Sequence, residues 1–189
     1  MFALIFGGSG SGKSEYAENW LTGRNKKDGT YIYIATMQPY TEETMKKIER
    51  HHRLRAGKGF RTLEKYTDLS ELEIPKNQGI LLECISNLVA NELYREDGTL
   101  NDLKETKEKV LAGVRRLSNS TTRLVIVKNE VNADINGYSE ETEKYRECIG
   151  MVNQSLAELA DIVTEVVYGI PVCIRKEQKK YEEYKKNME

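Results

Sequence analysis

The sequence predicts an α/β fold, a mostly parallel β-sheet with helices on both faces. Three observations predict it. Short apolar runs such as Ile80-Leu81-Leu82 and Leu124-Val125-Ile126-Val127 alternate with longer segments of helical periodicity. Those runs lack the in-and-out alternation of a half-exposed strand, as strands buried on both sides do. The first run, Phe2-Ala3-Leu4-Ile5-Phe6, passes directly into Gly7-Gly8-Ser9-Gly10-Ser11-Gly12-Lys13-Ser14. That is the strand-turn-helix setting of G-x-x-x-x-G-K-[ST], the P-loop pattern.

The elements follow in order. After the loop, residues 14–25 read as a helix with Tyr16, Ala17, Trp20 and Leu21 on its apolar side. Asp28-Gly29 reads as a turn, and residues 30–36, β-branched and aromatic, as a second strand. Thr41, Thr44 and Glu42-Glu43 open a helix that runs to about Arg55, with Met45 and Ile48 expected on its buried side. Gly57 and Gly59 end it, and residues 60–66 give a short strand before a loop at residues 74–77. Residues 79–83 form an apolar strand ending in an acid, followed by a helix through Leu93. Helices over about 101–117 and 139–159 and strands over 124–127 and 162–168 complete the expected core. These elements make one domain over residues 1–175, and residues 176–189, mostly Lys, Glu and Tyr, read as a solvated tail or helix.

Composition excludes some classes. A net charge of −1 over 189 residues gives no basic field for nucleic acid. No apolar run reaches the roughly 18 residues of a membrane span. The glycine loop begins too early for a signal peptide, so the expectation is a soluble cytoplasmic protein. Cys84, Cys148 and Cys173 form no zinc or C-x-x-C pattern and are expected as reduced, packed thiols.

The loop carries the first chemistry. Glycines let backbone N–H groups close around phosphate oxygens, and the following helix adds its positive dipole end. Lys13 would reach the β- and γ-phosphates, and the Ser14 hydroxyl would ligate Mg²⁺. Glu83, an acid at the carboxyl end of a strand, could hold Mg²⁺ or its waters, or be a satisfied buried carboxylate.

The chain has two histidines, adjacent at His51 and His52. On a helix His52 shares the side of Met45 and Ile48, whereas His51 lies four residues from both Lys47 and Arg55. Nearby cations would keep the His51 ring neutral and nucleophilic. Spacing alone favours an ordinary solvated basic face with incidental histidines.

Several separated segments line up with one family. They are the P-loop, Tyr33-Ile34-Ala35-Thr36, Ile48-Glu49-Arg50-His51 with Arg55, Arg61-Thr62-Leu63-Glu64 and Leu81-Leu82-Glu83-Cys84-Ile85. Further on are Asn129-Glu130-Val131, Val152-Asn153-Gln154, Ala160-Asp161 and Gly169-Ile170. Over about residues 1–175 the sequence resembles the bifunctional adenosylcobinamide kinase / adenosylcobinamide-phosphate guanylyltransferases of cobalamin biosynthesis.

The resemblance implies a RecA-like P-loop fold, Mg²⁺, ATP and GTP as substrates, and a homotrimer. It implies phosphorylation of adenosylcobinamide, then transfer of GMP through a guanylylated histidine. His51 is taken as the nucleophile because it fits the register I-x-x-H-x-x-x-R with Ile48 and Arg55. Carried over by residue, Ala35, Thr36 and Met37 line the nucleotide site. His52, Arg53, Leu54 and Arg55 contact the guanylate, with Glu64 and Glu83 as further contacts. Two loops depart from the family pattern. Ala56 follows Arg55 where proline is common, with Phe60 one residue late for a tryptophan, and Asn132, Asp134 and Asn136-Gly137 replace a glycine and proline.

Rival readings are another P-loop small-molecule kinase with incidental histidines, or a regulatory ATPase. The latter would use Arg115-Arg116 or Arg146 as an arginine finger.

Overall fold

In the computed structural model, which describes residues 1–23, 31–75, 78–129 and 139–177, twelve principal elements follow one another. The first half contains β1 (Phe2–Gly7), α1 (Lys13–Thr22), β2 (Tyr31–Ala35), α2 (Glu42–Arg55), β3 (Phe60–Glu64) and β4 (Gly79–Glu83). The second contains α3 (Ile85–Leu93), α4 (Leu103–Ser120), β5 (Leu124–Asn129), α5 (Glu140–Leu159), β6 (Ile162–Val167) and β7 (Ile170–Lys176).

The strands form one sheet in the order β3-β2-β4-β5-β1-β6-β7. Every pairing is parallel except β6 with β7. Alternate residues of each strand feed two cores. Leu4, Ile34, Leu82 and Ile126 pack with Leu88 of α3, Val114 of α4 and Val152 of α5. Ala3, Ile5, Leu81, Val125 and Val127 pack with Ala17 and Leu21 of α1. Burial on both faces is why these strands read as continuous apolar runs. This is the expected α/β P-loop architecture, with β5 lying between the P-loop strand β1 and the acid-ending strand β4.

Four expectations change. First, α2 does not bury Met45, which is 50% exposed; among its residues only Arg55 is buried. The inward stripe is Thr44, Ile48, His51 and Arg55, and His52 is exposed. Apolarity misjudged the face because this helix is seated at its C-terminal end rather than along its length. Second, the sheet does not end at β6. A two-residue turn, Tyr168 (φ +49) and Gly169 (φ +81), returns the chain as the antiparallel edge strand β7, which takes in Arg175 and Lys176. Third, Cys84 and Cys148 are buried but Cys173, on that edge strand, is exposed. Fourth, Tyr16 and Trp20 are only half-buried. The Asp28-Gly29 turn, the loop at 76–77, Glu130-Val131 with its following loop, and residues 178–189 lie outside the described residues.

Candidate active site

Parallel strands bring their carboxyl ends to one edge, where ligands of such sheets bind. In register across that edge Glu64 pairs with Ala35, and Ala35 with Glu83. Neighbouring positions of parallel strands share a face, here the face that packs α1.

Glycine is required at two points of the P-loop. A Cβ on Gly7 would lie 2.4 Å from the Val166 carbonyl oxygen and 2.7 Å from Ser11 Oγ. Gly12 is left-handed (φ +87) and caps α1 without a side-chain hydrogen bond. The first N–H groups of α1 are thus not taken up by a capping side chain, the condition for anion binding at a helix start. Lys13 is buried and its ammonium donates to the Gly8 carbonyl at 2.9 Å, across the loop. The Gly169 N–H donates to the Ser11 carbonyl at 2.8 Å, bracing the loop with the β6–β7 turn.

Glu83 is the hub. It accepts the Ser14 hydroxyl on Oε1 at 2.5 Å and the Tyr33 hydroxyl on Oε2 at 3.0 Å. Arg55 lays its guanidinium 3.3 Å from the centroid of the Tyr33 ring, close enough for a cation–π contact. Burial, then the Glu83 carboxylate, push the Tyr33 phenol well above its ordinary pKa, so it stays a donor. His51, half-buried one turn before Arg55, feels the same groups. Burial lowers its pKa most, Glu83 opposes, and Arg55, Arg50 and Lys13 lower it further. Desolvation therefore comes before the cations that the sequence singled out. Lys47 lies apart, paired with Glu43 at 2.6 Å on the exposed side.

The structure thus brings together Lys13, Ser14, Glu83, Arg55 and His51. It places the other candidates further out or ties them down. His52, Arg53 and Leu54 are exposed, and Arg53 lies 3.6 Å from Glu49. Thr36 is fully buried, its hydroxyl donating to the Cys84 carbonyl at 2.7 Å. Ala35 and Met37 are half-buried beside it, and the exposed Glu64 accepts from the Tyr66 hydroxyl at 2.7 Å. Burial raises the Cys84 thiol to about 11, which makes it packing rather than a nucleophile. Sequence reasoning missed Tyr33, Glu18 and Lys58. Glu18, four residues after Ser14 and buried, pairs with Lys58 at 2.5 Å. A charged residue one turn from Leu21 on the buried stripe of α1 was the available signal.

The donor set suits magnesium. Ser14 and Glu83 offer hard oxygen ligands in direct contact with each other at the phosphate loop. Magnesium at such sites takes one or two protein oxygens together with substrate phosphates and water. Among the described residues no three His, Cys, Asp or Glu gather as a metal cage.

A family model described as CobU, cobinamide kinase / cobinamide phosphate guanyltransferase, matches residues 3–174. The chain belongs to this family. Relatives share its length as well. The bifunctional adenosylcobalamin biosynthesis protein CobU of Escherichia coli is 35% identical, with 93% of this chain and 100% of that protein covered. CobU of Salmonella typhimurium is 31% identical at the same coverages. CobP of Pseudomonas aeruginosa is 29% identical, covering 92% of this chain and 97% of that protein. Membership makes the chain an enzyme, a kinase and nucleotidyltransferase acting on cobinamide in cobalamin biosynthesis. It displaces the readings as an unrelated kinase or a regulatory ATPase.

Proposed function

We propose that the enzyme works in two steps around one P-loop, with His51 as a covalent relay. In the first, the aminopropanol hydroxyl of adenosylcobinamide attacks the γ-phosphorus of ATP or GTP. The nucleoside diphosphate leaves, and the hydroxyl proton goes to solvent. In the second, a ring nitrogen of His51 attacks the α-phosphorus of GTP and pyrophosphate leaves. A phosphate oxygen of adenosylcobinamide phosphate then displaces His51, giving adenosylcobinamide-GDP. Splitting the transfer replaces one difficult displacement by two easier ones.

The residues divide the work. The loop from Gly7 to Ser14 cradles phosphates through its backbone, and Lys13 follows the charge that develops on the transferred group. Ser14 and Glu83 would hold magnesium, which supplies charge neutralisation between phosphate oxygens. Arg55 supports the guanylate phosphate, with His52, Arg53, Leu54, Glu64 and the Ala35–Thr36–Met37 segment as outer nucleotide contacts. Its low pKa keeps the His51 ring neutral, the state in which a nitrogen lone pair can attack. The partners are small molecules, and we take the working unit as a cytoplasmic homotrimer.

One observation carries this reading. His51 and Arg55 share the inward stripe of α2, and Arg55 is seated on the tyrosine that bonds Glu83 beside the P-loop. The test is mass spectrometry after incubation with GTP and Mg²⁺. A GMP phosphoramidate mapped to His51 is the expected result, and a GMP adduct on any other residue, or none, overturns the relay.

A further inference from the structure

Tyr33 has no place among the phosphate or guanylate contacts above, yet it touches both halves of the site. Its hydroxyl donates to Glu83 Oε2 at 3.0 Å, and its ring carries the Arg55 guanidinium at 3.3 Å. Phe60 meets the same ring edge-on, centroids 6.5 Å apart at 87°. Strand geometry explains the reach. Tyr33 is opposite Leu81 in the parallel register, so Glu83 lies diagonally ahead on the same face. Tyr31, two residues earlier, donates instead to the Thr22 carbonyl, an ordinary backbone anchor. Packing alone would be served by phenylalanine. A buried phenol aimed at a carboxylate is a more specific arrangement.

Arg55 is unusual in a complementary way. It is 5% exposed, and its Nε and Nη1 have no hydrogen-bond partner among the described residues. Stacking on Tyr33 holds it, leaving N–H donors for a ligand oxygen.

We infer that Tyr33 is a positioning residue that joins the two halves of the site. Its hydroxyl fixes the Glu83 carboxylate against the P-loop serine. Its ring seats Arg55, and with it the C-terminal turn of the helix bearing His51. The inference rests on the proposed roles of Glu83, Arg55 and His51.

The two functions separate by substitution in the full-length protein. Tyr33→Phe keeps the ring and removes the hydroxyl; Tyr33→Leu removes both. Cobinamide phosphorylation is followed as kcat and KM, and enzyme–GMP formation as a rate. Tyr33→Phe is expected to lower kinase kcat roughly ten- to a hundredfold, the effect of one lost hydrogen bond to a charged group, while nucleotide KM changes by less than about threefold. It should retain at least about ten times more adduct formation than Tyr33→Leu. Adding Tyr33→Phe to Glu83→Gln should cost nothing more, because the hydroxyl acts through Glu83.

Additive losses in that double variant overturn the inference, as do equal adduct rates for Phe and Leu. If Tyr33→Leu fails to fold, Tyr33→Phe and the double variant decide. Wild-type kinetics in Tyr33→Phe beside an impaired Glu83→Gln would sink the positioning role alone. An unimpaired Glu83→Gln would instead remove Glu83 from the site, and the inference with it.

Discussion

His51 and His52 differ by one position and meet very different surroundings. His51 is half-buried near Glu83, Arg55 and Lys13, and His52 is exposed. The i+4 spacing of His51 and Arg55 was readable from the sequence, but the direction of their stripe was not. Met45 looked like a core residue and lies outside. Glu83 was legible because an acid ends an apolar strand; Tyr33 was not, because a strand tyrosine reads as packing. His51→Ala is expected to abolish the enzyme–GMP adduct and keep cobinamide phosphorylation, and His52→Ala to keep the adduct. The reverse pattern would exchange the assignment. The pH profile follows from the sign of the shift. The neutral ring attacks, so adduct formation rises as pH passes upward through the His51 pKa. Burial, Arg55, Arg50 and Lys13 set that pKa low, so the acid limb should lie below the ordinary histidine range. Arg55→Gln should move the limb upward; a limb that stays in place removes Arg55 as a cause. Lys13→Ala is expected to lose both activities, by on the order of 3 kcal/mol or more in transition-state stabilisation. Retention of one would reveal a second triphosphate site.

At the scale of elements, α2 is held by its end. A capping box, Thr41 with Thr44, starts it without tertiary help. Glu43–Lys47 and Glu49–Arg53 pairs line its exposed faces. Anchoring comes from Arg55 on Tyr33 and, just beyond the helix, Lys58 on the buried Glu18 of α1. Burial raises the Glu18 pKa, and Lys58 opposes that rise by bonding the carboxylate. Local signals showed where this helix begins and ends, since caps and glycines act on neighbours. They could not show its seat, which depends on residues from two other elements, Tyr33 of β2 and Glu18 of α1. Lys58→Ala should leave Glu18 buried without its cation and lower stability by about 1–3 kcal/mol, read as a lower urea midpoint. Adding Glu18→Gln should recover part of the loss, because the stranded charge is then gone. No recovery would mean that Lys58 stabilises by packing rather than by charge.

For the molecule as a whole, the parallel core was legible because each strand is apolar on both faces, and the edge strand was not. Ile170-Pro171-Val172-Cys173-Ile174 is as apolar as a core strand, yet β7 is exposed throughout. Ile170 and Val172, on one face, are 66% and 46% exposed, and Ile174, at a bulge, is 59% exposed. Soluble proteins usually blunt such edges with charge or cover them. In the homotrimer we propose, a second copy of the chain would cover it, and the same hairpin touches the site through Gly169 N–H on the Ser11 carbonyl. Assembly and nucleotide binding should therefore be linked. The wild-type protein is expected to sediment as a trimer at micromolar concentration. Ile170→Lys with Val172→Lys should shift it toward monomer while keeping its helical circular dichroism, and should raise nucleotide KM by loosening the turn that braces the P-loop. A wild-type monomer would end the trimer, and a lysine variant that stays trimeric would move the interface off this edge.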